Sequence, residues 1–273
     1  MAPRWVSPAC NRRPLRGAAF FLAGAALGLA LAGAPAARAD DVAALYRLEW
    51  AGLPAGRVLL TLHDDAGGYR DEIRIGSEGL PRLVTHFRGT AIAEGKLVSA
   101  RTPLPARYDA DYDLRKRRDR KVRMAFAPRA GALIAERGPD DTSRKPELAE
   151  EFRRNVVDPL SVITLIRAAL RRGSTDFTVP VYDGARRFDA IVRVLPRNPA
   201  EPGIHLALSL RAIAGFRGES SDEGDPDDAP RPVSLTLSDD ARLLPLEVSV
   251  PVWFLSLTAT LDRVCASDAP CNW

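Results

Sequence analysis

The stretch YDADYDLRKRRDRKVRMAF, Tyr108 to Phe126, carries seven cationic side chains between Arg115 and Arg123, with three aspartates ahead of them. With a period of two, Tyr108, Ala110, Tyr112 and Leu114 take one side of an extended segment, while Asp109, Asp111 and Asp113 take the other. On the return, Val122, Met124 and Phe126 share one side, and Lys121 and Arg123 share the opposite one. A hairpin with its loop at Lys116, Arg117 and Arg118 sets Arg115 against Asp119, Asp113 against Lys121 and Asp111 against Arg123. The same register sets Tyr112 against Val122 and Tyr108 against Phe126 on the core side. Both faces are satisfied at once, each cross-strand ion pair adding roughly 0.2 to 1 kcal/mol. The cations are thus answered by anions within the hairpin, and no aromatic residues interleave them as base-stacking surfaces. Nucleic acid is not an expected partner, and only the loop tip stays positive enough for a weak contact with an anionic membrane surface. Asp109, Asp111 and Asp113 also imitate the start of an EF-hand loop, but Leu114 stands where Gly is needed and Arg120 where the last Glu should be.

The same alternation runs through most of the chain. ALYRLEW and GRVLLTLH flank the turn-rich AGLPAG, and GYRDEIRIGSEG alternates. THFRGTAIAEGKLVSA reads as two strands about a turn at Glu94, Gly95 and Lys96. FTVPVYDGARRFDAIVRVL, IHLALSLRAIAGF, VSLTLSDDARLLPLEVSV and VWFLSLTATLDRV follow. About a dozen short strands between turn signals predict a mainly β fold, a single antiparallel and strongly curved sheet or barrel. One segment has a helical period instead. In VVDPLSVITLIRAALRRGS, Asp158 can cap, Pro159 suits the first turn, and Leu160, Ile163, Ile166 and Leu170 recur at helical spacing before Gly173 stops it. A helix over about 159–172 is expected, largely buried and laid against the sheet or into a barrel mouth. SRKPELAEEFRRN, ahead of it, suits a loose helical turn, and the acidic 218–232 suits a flexible surface loop.

The first 39 residues are expected to be a signal peptide cleaved after Ala39. Arg4, Arg12, Arg13 and Arg16 precede an apolar run from Ala18 to Leu31, and Ala37-Arg38-Ala39 offers small residues where a signal peptidase reads. The run is shorter than the roughly 20 residues that a membrane anchor needs. Arg12-Arg13 invites a twin-arginine reading, but the flanks in NRRPLRG fit that pattern poorly, which favours the general export route. The whole chain has 39 Lys+Arg against 35 Asp+Glu, but five Arg and no acids lie in residues 1–39. Residues 40–273, read as one periplasmic domain, are therefore close to neutral and have no field for polyanions. Cys265 and Cys271 form an even pair in a compartment that permits disulfides, and a disulfide between them is the expected state.

No catalytic chemistry stands out. Ser77 in IGSEG lacks the preceding Gly of a nucleophile elbow, and neither a phosphate-binding glycine loop nor a zinc-type HExxH segment is present. His63, His86 and His205 lie in separate segments, so no metal or cofactor site is expected. Trp50, Phe87, Tyr182, Trp253 and Phe254 are the aromatic candidates for contact with an apolar ligand or a partner. Trp253 and Phe254 are adjacent, so in a strand one of them faces away from whatever the other packs on.

LYRLEWAGLPAGRVLLTL, FRGTAIAEG, RYDADYD before the basic run, DPLSVITLIRAAL, PVYDGARRFD, AIAGF and DARLLPLEVSVP occur in this order. The sequence so ordered resembles the exported bacterial proteins of domain-of-unknown-function family 3108. The resemblance spans Leu45 to about Leu261 and implies a periplasmic β-rich protein without established catalytic residues. The resemblance supplies no mechanism, but a strongly curved sheet closed by a helix often encloses an apolar cavity, so a non-enzymatic binding or carrier protein for an apolar or amphipathic envelope component is expected, with a cavity lined by aliphatic and aromatic side chains. The alternatives are an envelope scaffold acting through protein contacts and, third, a carboxylate-based hydrolase.

Overall fold

The computed structural model describes residues 40–65, 67–79, 87–98, 102–114, 120–142, 146–216, 230–252, 255–265 and 271. The expected signal peptide, most of the acidic 218–232 segment, Trp253 and Phe254 lie outside them. Among the described residues there are thirteen strands: β1 (Asp40–Trp50), β2 (Leu53–Asp64), β3 (Gly68–Ser77), β4 (Phe87–Val98), β5 (Thr102–Leu114), β6 (Arg120–Arg129), β7 (Ala132–Arg137), β8 (Asp176–Tyr182), β9 (Arg187–Val194), β10 (Ile204–Ala214), β11 (Arg231–Leu237), β12 (Pro245–Val252) and β13 (Leu255–Cys265). One helix, α1 (Ser161–Arg171), falls between β7 and β8. All strands join one antiparallel sheet in the order β7-β6-β5-β4-β3-β2-β1-β13-β12-β11-β10-β9-β8.

That sheet curls into a nearly closed barrel, and the chain itself stitches the seam. β7 and β8 are its two edges, and the segment leading into α1 lies between them. Asn155 donates its N–H to Leu133 O at 2.7 Å and accepts the Leu133 N–H on Oδ1 at 3.0 Å. Val157 donates to Pro180 O, and Tyr182 donates back to Val157 O, both at 2.9 Å. Edge groups that would otherwise invite another strand are thereby spent. Pro180, which has no N–H, is tolerated because β8 is an edge.

The helix follows from its ends. Asp158 Oδ1 accepts the N–H groups of Leu160 at 2.9 Å and Ser161 at 2.8 Å, so it caps as its position suggested. The helix proper begins at Ser161, Pro159 and Leu160 belonging to the capping turn. Gly173, at φ +78°, ends it, with Ser174 N–H reaching Ala169 O at 3.0 Å. The segment ahead of it forms a short 3-10 turn at Glu150–Arg153.

Three expectations need correction. Glu94, Gly95 and Lys96 do not turn, because β4 runs straight through them with a bulge at Glu94/Gly95. Gly95 is there for contact: a Cβ would lie 2.4 Å from both the Tyr69 ring and Leu104 O. The turn between β1 and β2 is narrower than AGLPAG, using only Ala51 and Gly52, both at positive φ as a two-residue hairpin requires. The charged hairpin is paired two residues away from the expected register. Asp111 faces Lys121, Asp109 faces Arg123 and Tyr108 faces Met124. A slip of two keeps every side chain on its expected face, so charge compensation survives. Arg123 lies 2.8 Å from Asp111 and 3.5 Å from Asp109.

Candidate functional site

The inward positions of β1 to β3 and β10 to β13 are mostly Val, Leu, Ile and Ala. Side chains of that size do not fill a barrel of this circumference, and α1 fills only part of it. What is left is an apolar cavity of about 350 Å³ between the helix and the wall. Val162, Ile163 and Ile166 of α1 face Leu48, Leu60, Ile73, Leu208, Val248 and Leu257 across it, with Pro159 and Leu160 at the helix start. Tyr46 is the lining residue with a polar group, and its hydroxyl is spent on Pro245 O at 2.9 Å. Burial raises the Tyr46 phenol above its ordinary range, so it remains neutral. Near the wall residues Leu48 and Leu257 stands the tip of the β1–β2 hairpin, where Trp50 is 40% and Leu53 57% exposed.

The opposite flank of α1 is polar and buried. Tyr69 donates to Ser161 Oγ at 2.7 Å, because the Ser161 hydroxyl itself donates to Asp158 Oδ2 at 2.5 Å. Thr164 donates to Asp71 Oδ2 at 2.6 Å. Arg167, fully buried, lies 3.2 Å from Asp64 Oδ2 and donates its Nε–H to Arg242 O at 2.9 Å. Oδ1 of Asp64 and Oδ1 of Asp71 are buried without a hydrogen-bond partner. Burial pushes the Asp71 carboxyl up to about 7, with the Thr164 hydroxyl opposing and the Asp64 charge adding to the rise. Burial likewise pushes Asp158 up to about 6 against its Ser161 and backbone donors. Tyr69 is held above its ordinary range, first by burial and then by the Asp158 charge. None of these carboxylates lines the cavity.

A second cleft of about 400 Å³ lies beside the helix C-terminus. Its cations have partners: Arg197 lies 2.5 Å from Asp239, and Arg171 donates to Ala241 O at 3.2 Å. Among the described residues, no cluster of three or more His, Cys, Asp or Glu has metal-binding geometry. His63 is paired with Asp41, His205 with Thr236 at 3.2 Å, and His86 lies outside the described residues.

Of the aromatic candidates, Trp50 stands at the hairpin tip, Phe87 opens β4, and Tyr182 is fully buried in the core of the β1 to β6 side. None of the three lines the cavity. Cys265 and Cys271 are joined in a disulfide with their Cα atoms 5.5 Å apart. Sequence reasoning expected a cavity with aliphatic and aromatic walls but singled out aromatic residues as contacts, and the aliphatic residues that line it were not named. The available signal was the row of medium-sized aliphatic residues at alternate positions of seven strands.

A search of curated proteins finds no match. Among solved structures, the chain is similar to a β-barrel-like protein of a domain of unknown function, DUF1849, from Brucella abortus. The TM-score is 0.52 at 11% identity, covering 82% of this chain and 96% of that one, which is a likeness of fold. The family described as protein of unknown function, DUF3108, matches residues 45–262, most of the chain and the region in which the barrel, the helix and the cavity are built. The chain belongs to the DUF3108 family.

Proposed function

We propose that the protein is a non-enzymatic carrier that holds an apolar or amphipathic component of the bacterial envelope, such as a lipid acyl chain, within its barrel, and that it works in the periplasm after loss of residues 1–39. The cavity carries this reading. At about 350 Å³ it sits at the small end of the range for ligand sites, and its walls offer dispersion contacts and almost no polar anchors. Each methylene moved from water into such a site contributes about 0.8 kcal/mol, so a chain of about ten methylenes gains roughly 8 kcal/mol before the cost of ordering it. The scaffold alternative has less support, because both edge strands are stitched by the chain's own backbone. A hydrolase has less still, since the carboxylates that converge are sealed behind α1.

Native mass spectrometry of protein purified from a bacterial host tests the reading. A lipid-sized added mass, lost on solvent extraction, is expected. The extracted protein should then take up the apolar fluorophore N-phenylnaphthylamine, and Val250→Phe, which enlarges a lining residue of β12 into the cavity, should weaken uptake at least tenfold. No added mass together with no saturable uptake would remove the proposal.

A further inference from the structure

α1 separates two environments. One flank, through Ile163 and Ile166, forms a wall of the cavity, while the other carries Ser161, Thr164 and Arg167 into the buried carboxylates. Any shift of the helix that widens or narrows the cavity must therefore disturb those polar contacts.

The contacts are unequal in charge. Asp64 has Arg167 at 3.2 Å and Arg171 at 3.8 Å. Asp158 accepts two backbone N–H groups and the Ser161 hydroxyl. Asp71 has one neutral donor, the Thr164 hydroxyl, and its second oxygen has no partner. The groups that face it are Thr164 and Arg167 from α1, Asp64 from β2, Asp158 from the segment entering α1, and Tyr69 from its own strand. Two of these are anions, and the one cation among them is committed to Asp64. Ionising Asp71 thus leaves an uncompensated charge in an enclosed site, a cost that the neutral acid avoids.

We infer that Asp71 is a proton-binding site whose loading keeps α1 seated, so that pH regulates access to the apolar cavity. The regulatory part of this inference rests on the carrier reading; the proton site does not. With its carboxyl pushed up to about 7 in the seated state, Asp71 binds its proton more tightly there than when exposed to water. Linkage then lowers the ratio of seated to released helix about tenfold between pH 6 and pH 8. The direction is release on alkalinisation and locking on acidification.

Amide hydrogen exchange over Thr164–Leu170, corrected for the intrinsic pH dependence, reads the seating directly. Wild type should lose protection about tenfold from pH 6 to pH 8. Asp71→Asn, which keeps an acceptor for Thr164 and has nothing to titrate at that position, should lose the tenfold change and keep only the roughly twofold one that Asp158, raised to about 6 at the helix start, contributes. Thr164→Val removes the donor that favours the ionised form, so its transition should move up by about one pH unit. An infrared band of a protonated carboxylic acid, present at pH 6 and fading by pH 8, gives a second measurement on wild type should Asp71→Asn fail to fold. Protection independent of pH, or a transition unchanged in Asp71→Asn, overturns the assignment. N-phenylnaphthylamine uptake at both pH values separates the two ideas. Uptake that rises from pH 6 to pH 8 with the same midpoint supports the regulated cavity. No uptake at either pH, with the exchange transition intact, keeps the proton site and removes the carrier.

Discussion

Replacing Arg167 with Met tests how the barrel tolerates charge in its interior. The substitution removes the fully buried cation beside Asp64, at 3.2 Å, and the 2.9 Å bond to Arg242 O, while keeping most of the side-chain volume. Breaking a buried pair from one side costs about 3 to 5 kcal/mol, since the remaining charge is left without compensation. Arg171, 3.8 Å from the same oxygen, retains part of the attraction and favours the lower end, about 3 kcal/mol. Urea unfolding at pH 7, followed by circular dichroism, measures the loss. Adding Asp64→Asn should recover about 2 kcal/mol through the coupling of the two sites. A loss under about 1 kcal/mol at pH 7, or a double variant as unstable as the sum of the singles, would refute the reasoning.

Stability should fall as pH rises from 5 to 8, opposite to the usual carboxylate trend. Asp71 and Asp158 are raised from 3.8 to about 7 and about 6, so their stabilising contribution is complete below about pH 4 and lost as pH passes those values. For Asp71 it amounts to at most about 4 kcal/mol, and a melting temperature that holds or climbs from pH 5 to pH 8 by calorimetry would contradict it. Gly95→Ala should cost about 3 kcal/mol by chemical denaturation, because its Cβ would press on the Tyr69 ring and Leu104 O at 2.4 Å. Wild-type stability for that variant would show that the bulge relaxes freely. Asp158→Ala, measured at pH 5, should cost about 2 kcal/mol by leaving the Leu160 and Ser161 N–H groups and the Ser161 hydroxyl without their acceptor. Amide exchange should then show fraying at Ser161 and Val162 ahead of Leu170.

The strands were legible because alternation is local. Val58, Leu60 and Leu62 alternate with Arg57, Leu59 and Thr61, and all three of the former are buried in β2. The helix was legible for the same reason, through a cap, a period and a stop within sixteen residues of one another, Asp158 to Gly173. Register was not. The two-residue difference in the charged hairpin leaves every side chain on the same face, so pattern alone cannot see it. The Gly95 misreading has the same root: a glycine marks either a turn or a close approach, and only the Tyr69 ring from the neighbouring strand distinguishes them.

The sequence by itself determined which segments extend, which one coils, and that the interior would be lined by branched aliphatic residues. The tertiary structure alone decided that β7 and β8 meet through Asn155 and Val157, that α1 lies inside the ring, and that Asp64, Asp71 and Asp158 gather on one flank of it. The reason is physical range. Alternation, capping and turn chemistry act between neighbours in the chain, whereas a cavity is what remains after distant strands close, and the cost of a buried charge depends on which distant groups then surround it.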